Sequence, residues 1–377
     1  MAGQGHRGSR PRLLLLSTAG GVGGMERVVC TLARGFRARE WHVDSVFPAT
    51  PAAEAHLRWC GAQGVEAEVS PAVLELVAPH GWAEMAALRG LVRSRRPDVV
   101  NLHYGSGFIS LKDVIAVRGA GARRLFVTVH HPEPRLSMRK RALTLVAAAL
   151  TRRVVAVSHS VARVLREARL PGSWIEVIPN GVAAPAHMIG RDEARRRLGI
   201  PEGALVVGTL ARLEPHKGIA DLVIAAARLV PEHPRLLLLI GGDGSERGHI
   251  EALATRELPG RARLLGFVER EHEVYASLDV FALPSQLEGF GLVFVEAALH
   301  GVPSVGADTG GVPEVILADR TGLLVPAGSV DALAGALDRL ARDPALRSRL
   351  GEAARQRALQ ELTERRMVDD YAKVFAG

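Results

Sequence analysis

Short apolar runs of β type alternate with helical patterns along the whole chain. RLLLLSTAGG (residues 12–21) is followed by the helical pattern GMERVVCTLARGFRARE, then by HVDSVF (42–47), DVVNLHY (98–104), RLFVTVHH (124–131) and RVVAVS (153–158). Strand, helix, strand in this order predicts an α/β fold with a parallel, doubly wound sheet. Near IEVIPNGV (175–182) the pattern restarts: ALVVGTLARL (204–213), a helix over 218–230, RLLLLIGG (235–242), RARLLGFV (261–268), DVFALPS (279–285), PSVGAD (303–308) and GLLVP (322–326). Two Rossmann-like domains are therefore expected, joined near residues 181–201. Residues 1–12 read as a disordered basic tail, 13–182 as the first domain and 183–360 as the second. Residues 361–377 read as a terminal helix expected to pack back on the first domain. In doubly wound sheets the ligand crevice lies outside the carboxyl ends of the strands, so the chemistry should gather in those loops.

Composition changes this picture only at its edges. A chain of 377 residues exceeds what one core usually serves, and 47% hydrophobic with 23% charged residues is an ordinary soluble balance. Cys30 and Cys60, the two cysteines, make no disulfide framework and lack metal-ligand spacing, which suits a reducing cytoplasm. No apolar run approaches the roughly eighteen residues that span a bilayer. RPRLLLLSTAGG begins like a signal peptide, but its apolar stretch is too short and reads better as a buried first strand. The net charge of +8 is almost all arginine, because lysine occurs only at Lys112, Lys140, Lys217 and Lys373. Diffuse arginine usually means a solvated surface, and it also suits an acidic ligand or an anionic membrane face. At 4% aromatic residues, no stacking platform for nucleic acid is visible.

The strand ends carry the candidate chemistry. After the first strand, TAGGVGGMER (18–27) offers glycines for close backbone approach and a helix start for an anion. It is a poor dinucleotide fingerprint: Glu26 stands where the last glycine belongs, and the expected acid appears only as Asp44, in mid-strand. A nicotinamide dehydrogenase is therefore disfavoured. TLARLEPHKG (209–218) puts Arg212 and Lys217 just past a strand, where a fork and a point charge could hold a diphosphate. GGDGSE (241–246) is a third glycine-rich turn. PSQLEGFGLVFVEAALHG (284–301) holds Glu288 and Glu296 among apolar residues and glycine, where an unpartnered carboxylate is costly. A helix beginning near Gly291 or Leu292 would carry Glu296 in its first turns and offer amides to a phosphate. Glu296 could then accept from a diol such as ribose and Glu288 from a sugar, or Glu296 could cap or pair locally.

These residues resemble a known family. E-G-F-G-L-x-x-x-E at 288–296 is similar to the E-x7-E motif of family 4 (group 1) glycosyltransferases. GGVGGMERVV (20–29), TVHH (128–131), VIPNGV (177–182), RLEPHKG (212–218), GGDGSE, LLGFV (264–268), GADTGGVPEVI (306–316) and GLLVPAG (322–328) agree in order along nearly the whole chain. The resemblance implies a GT-B fold, two Rossmann domains facing across a cleft, and retaining transfer of a sugar from a nucleotide diphosphate sugar to a hydroxyl. It implies that Arg212 and Lys217 hold the diphosphate, that Glu296 takes the ribose hydroxyls, and that Glu288 with the amides of Phe290 and Gly291 holds the sugar. Gly242 and Leu292 belong to the same implied donor site, and the backbone at Phe267 and Val268 would line the base pocket. His130 matches the histidine that contacts the transferred sugar, with His131 directly after it as the alternative. Gly23 and Gly24 would approach the donor phosphate and the acceptor. No D-x-D carboxylate pair is present, so neither a metal nor another cofactor is expected to be required.

UDP is the expected nucleotide, with GDP as the alternative, and the acceptor would be a glycan, a lipid-linked sugar or a small molecule. The expected acceptor loops, 50–95 and 104–120, carry no legible signature. PRLSMRKRALTLVAAALTRR (134–153) sets Arg139, Lys140, Arg141, Arg152 and Arg153 around an apolar helix, which is either a core helix between surface arginines or a rest for an anionic membrane. The expected location is cytoplasmic, with peripheral contact at the inner membrane face. Two rivals remain: a nucleotide-sugar epimerase of the same fold, and a non-catalytic sugar-nucleotide-binding protein.

Overall fold

The computed structural model describes residues 10–19, 23–50, 53–73, 81–131, 136–185 and 187–377, without the side chains of 55 and 56. The chain divides into two compact units, Met1–Pro179 with Glu364–Gly377, and Asn180–Thr363. The expected basic tail lies outside the described residues up to residue 9; Arg12, assigned to that tail from sequence, is the first residue of a strand. Its amide donates to Asp98 Oδ2 at 2.7 Å.

The strands of the first unit are β1 (Arg12–Ser17), β2 (His42–Pro48), β3 (Glu68–Ser70), β4 (Val99–Tyr104), β5 (Arg124–Val129), β6 (Arg153–Ala156) and β7 (Ile175–Val177). The helices between them are α1 (Gly24–Arg37), α2 (Ala53–Ala62), α3 (Trp82–Arg95), α4 (Leu111–Gly119), α5 (Met138–Ala149) and α6 (His159–Glu167). The sheet order is β3-β2-β1-β4-β5-β6-β7, with parallel neighbours throughout. Leu13 to Leu16 are at most 1% exposed, because helices cover both faces of such a sheet and a strand inside it needs no polar side. The stretches expected as acceptor loops contain α2, β3 and α3, and in the second case α4. The short strand β3, half-buried at the sheet edge, has too little apolar alternation to be read from sequence.

The second unit contains β8 (Leu205–Leu210), β9 (Leu236–Gly241), β10 (Ala262–Gly266), β11 (Val280–Leu283), β12 (Ser304–Ala307) and β13 (Gly322–Val325). Its helices are α7 (Arg191–Arg197), α8 (Ile219–Leu229), α9 (Arg247–Glu257), α10 (Glu271–Ser277), α11 (Leu292–Leu299), α12 (Val312–Val315), α13 (Val330–Arg342) and α14 (Pro344–Glu361). The order β10-β9-β8-β11-β12-β13 is again parallel. At the foot of this sheet, buried Asp279 accepts from Arg195 Nη2 and the amide of Val206, both at 2.7 Å, and from Arg191, tying α7 to the strands.

The last helix, α15 (Glu364–Ala376), belongs to the first unit. Phe375 sets its ring 5.4 Å from Phe36 on α1 and 4.9 Å from Phe126 on β5, and Glu364 pairs with Arg34 at 2.9 Å. The two cysteines meet between α1 and α2, with Sγ atoms 3.4 Å apart and both side chains buried. A hydrogen bond with Cys60, and then burial, push the Cys30 thiol up, so it stays protonated.

Candidate functional site

In the second unit the strand order reverses between β8 and β11, where the fold leaves a crevice at the strand ends. The β8 loop carries Arg212 and the short turn Pro215–Lys217; the β11 loop carries Glu288 and enters α11, which bears Glu296. Lys217 Nζ lies 2.7 Å from Glu288 Oε2, and their side chains are 12% and 14% exposed. Two residues assigned from sequence to different parts of a ligand therefore hold each other. Each neutralises the other, which lets both stand in an apolar stretch. Arg212 differs: its side chain is exposed, and its guanidinium makes no ion pair or hydrogen bond with a described residue.

Glu296, 9% exposed, has a protein partner where sequence reasoning supplied only a ligand. The Tyr275 hydroxyl donates to its Oε2 at 2.7 Å. Tyr275 comes from α10 and stacks on His300 at 5.5 Å, while His300 Nδ1 donates to the Glu296 carbonyl at 2.9 Å. Burial pushes the His300 pKa down, which keeps this imidazole neutral. No sequence signal links Tyr275 to Glu296, because the two sit on different helices. The first amides of α11, those of Leu292 and Val293, have no acceptor within the helix, while that of Phe294 donates to the Gly291 carbonyl at 3.1 Å. Phe290 buries its ring at 3% exposure, leaving its backbone at the loop.

Two close approaches fix these loops. Gly242, after β9, has φ +128, and a Cβ there would stand 1.8 Å from the Ala211 carbonyl oxygen, next to Arg212. Gly310, after β12, has φ +55, and its Cβ would stand 1.8 Å from the Glu288 carbonyl oxygen. That same oxygen accepts the amide of Gly311 at 3.0 Å. Within GADTGGVPEVI the sequence alone gives no role to Gly310 or Gly311. The Gly242 amide also donates to Gly266 at 2.7 Å, joining the β9 loop to the β10 loop. There Phe267 stands 56% exposed with Val268 half-buried behind it.

In the first unit the order reverses between β1 and β4. Gly20 and Gly21 lie outside the described residues; Gly23 caps α1 in an extended conformation and Gly24 is its first residue. Asp44 sits in mid-β2, half-buried, pairing with His42 at 3.3 Å and Arg12 at 3.7 Å. His130 follows β5 and is 8% exposed, with Nε2 2.9 Å from Nδ1 of the fully buried His103. Burial pushes His103 down to about 3 and holds His130 well below the ordinary histidine range, where the neighbouring His103 and His131 add to the effect. Both rings are therefore neutral at pH 7. Asn101 Nδ2 stands 3.0 Å from His103 Nε2, Thr128 Oγ1 bonds Asn101, and the Tyr371 hydroxyl of α15 reaches Thr128 at 3.2 Å. His131 is half-buried beside this chain. Sequence reasoning singled out none of Asn101, His103, Thr128 and Tyr371 for this site.

Two family profiles match the chain: "Glycosyltransferase Family 4" over residues 22–184 and "Glycosyl transferases group 1" over 190–357. Glycogen synthase of Mycobacterium tuberculosis is 32% identical over 305 residues, which are 76% of this chain and 70% of that protein. N-acetyl-alpha-D-glucosaminyl L-malate synthase of Bacillus anthracis is 31% identical over 225 residues, 59% of this chain and 58% of that one. The chain spans about half the length of the first curated relatives it matches, 58%, 50% and 46%. Among solved structures, Anabaena HepE in complex with UDP-glucose superposes with a TM-score of 0.81 at 22% identity, covering 97% of this chain and 99% of that one. Sucrose-phosphate synthase from Thermosynechococcus elongatus gives 0.78 at 21% identity, covering 98% of each. Two parallel Rossmann-like sheets and these matches together make the chain a member of the group 1 glycosyltransferases of family 4, with the GT-B fold.

Proposed function

We propose that the chain transfers a sugar, with retention of configuration, from a nucleotide diphosphate sugar to an acceptor hydroxyl, without a required metal. The observation that carries this reading is the Lys217–Glu288 pair at the reversal of the second sheet, beside exposed Arg212 and the start of α11. Breaking the sugar–diphosphate bond builds negative charge on the leaving phosphate. Once donor is bound, Arg212, Lys217 and the first amides of α11 oppose that charge from fixed positions. On donor entry Lys217 exchanges Glu288 for phosphate, and Glu288 is released to the sugar hydroxyls. Glu296, oriented by Tyr275, accepts from the ribose, and exposed Phe267 offers a face to the base. His130 meets the transferred sugar. UDP is the proposed nucleotide, supported by the solved structures of HepE with UDP and with UDP-glucose. GDP is the second choice, since one relative is a GDP-mannose-dependent mannosyltransferase. The acceptor is a glycan, a lipid-linked sugar or a small molecule.

Thermal unfolding with UDP, GDP, ADP and dTDP, each with and without EDTA, tests this reading. A nucleotide at a hundred times its Kd stabilises the fold by about 2.7 kcal/mol, a visible rise in Tm. The expected result is a rise with UDP, unchanged by EDTA and weakened in Glu296→Ala. A rise with none of the four removes the nucleotide site, and a rise abolished by EDTA removes metal independence.

The proposal extends to a membrane face on the first unit. Met138 and Val146 on α5 and Leu150 after it are 79%, 50% and 39% exposed, among exposed Arg139, Lys140, Arg152 and Arg153. Arg141 is instead half-buried, donating to the Leu136 carbonyl at 3.1 Å. Among the described residues no helix is long and apolar enough to cross a membrane. Cosedimentation with phosphatidylcholine vesicles should be weak, and phosphatidylglycerol should raise it. Arg139→Gln and Lys140→Gln should each lower binding about fivefold, near 1 kcal/mol per charge. Equal binding to neutral and anionic vesicles would remove the membrane face.

A further inference from the structure

Five side chains of the first unit form one hydrogen-bonded line from the last helix to His130: Tyr371, Thr128, Asn101, His103 and His130. Four of the five are at most 0% exposed, and His130 keeps 8%. In such a line each neutral imidazole has one N–H and one lone pair, so fixing one end fixes every proton. Asn101 Nδ2 can only donate, so His103 Nε2 accepts and the proton of His103 sits on Nδ1. That N–H points along the 2.9 Å contact to His130 Nε2, which must accept in turn. His130 is left with its proton on Nδ1, and that nitrogen bonds no described residue. At the far end Thr128 donates to Asn101 Oδ1 at 3.2 Å, so the Tyr371 hydroxyl donates to Thr128. Tyr371 is held by ring contact with Phe375, 5.7 Å away on the same helix.

We propose that Asn101, with Tyr371 and Thr128 behind it, is a positioning residue that holds His130 in one tautomer, Nε2 accepting and Nδ1–H presented to the ligand. This rests on the reading of His130 as the residue that meets the transferred sugar. A donor N–H at that point suits a sugar hydroxyl oxygen and does not suit a hydroxyl proton. It also makes α15, the final element of the chain, a structural determinant of the site formed after β5.

The test is a long-range proton–nitrogen correlation spectrum of the full chain labelled with 15N-histidine, with the His130 signal assigned from His130→Gln. The expected wild-type result is His103 and His130 both protonated at Nδ1. Asn101→Asp replaces a donor with an acceptor and should reverse the line, moving the His130 proton to Nε2. Tyr371→Phe keeps the ring contacts and removes only the end of the line, so it should fold and give His130 a mixture of tautomers. Release of UDP from UDP-glucose should fall roughly ten- to a hundredfold in Asn101→Asp, the range seen when the outer partner of a metal-binding histidine is removed. His130 protonated at Nε2 in the wild type, or a His130 signal unmoved in both variants, overturns the proposal. A reversed tautomer with unchanged UDP release supports the line itself and overturns the contact of His130 with the sugar. The two failures are thus distinguishable.

Discussion

Lys217→Met should lower UDP release from UDP-glucose by about a hundred- to a thousandfold, the cost of removing one fixed charge from a developing oxyanion. It should also lower stability, because the same side chain neutralises Glu288 in the ligand-free protein. Lys217 Nζ and Glu288 Oε2 are 2.7 Å apart, with little of either side chain in water. Removing one partner of a buried pair costs about 3 kcal/mol. For a unit of this size that is a fall in Tm of roughly 6–12 °C. The double variant Lys217→Met with Glu288→Gln removes both charges, so it should regain most of the stability and none of the activity. Calorimetry and a UDP-release assay on the four proteins of this cycle separate the two roles. A double variant no more stable than Lys217→Met would mean that the pair does not neutralise itself. Wild-type turnover in Lys217→Met would remove it from the clamp.

The alternation of apolar runs and helical patterns carried the fold, because a parallel strand covered on both faces must be apolar throughout. The Leu13–Leu16 run could be nothing else once a helix followed it. The edge strand β3 escaped, since three half-buried residues need no pattern. At the candidate site, sequence order marks out the strand-end loops, because glycine and charge there are visible one residue at a time. What it could not reveal is which side chains face each other across the sheet. The Lys217–Glu288 pair joins loops 71 residues apart, and Tyr371 reaches Thr128 across 243. Tyr275 beside Glu296 has the same cause: each of these contacts is set by strand order and not by spacing. Glu288 and Glu296 stand out in the sequence because an unpartnered carboxylate there is costly, and Lys217 and Tyr275 do not stand out as their partners because a partner leaves no mark on its own stretch of sequence.

Gly310→Ala should be among the most damaging single-methyl changes in the second unit, for a reason that has two separable parts. Its φ of +55 disfavours any side chain, at about 1–3 kcal/mol. The added methyl would also stand 1.8 Å from the Glu288 carbonyl oxygen, a backbone atom that cannot swing aside as a side chain could. The loop bearing Glu288 must then move, and with it the pair that Glu288 makes with Lys217. Overpacking of this kind adds about 1–3 kcal/mol, so the total should reach roughly 3 kcal/mol or more. Gly328 supplies the control, since it has φ +74 but nothing within 4 Å of its added Cβ. Gly328→Ala should therefore show the backbone part alone, about 1 kcal/mol, and leave UDP-glucose binding unchanged. Gly310→Ala should lose more stability than this and also weaken the binding of UDP-glucose, measured by calorimetry on both variants. Equal losses, with donor binding intact in Gly310→Ala, would mean that the Glu288 loop accommodates the methyl. Its position would then owe nothing to the turn that follows β12.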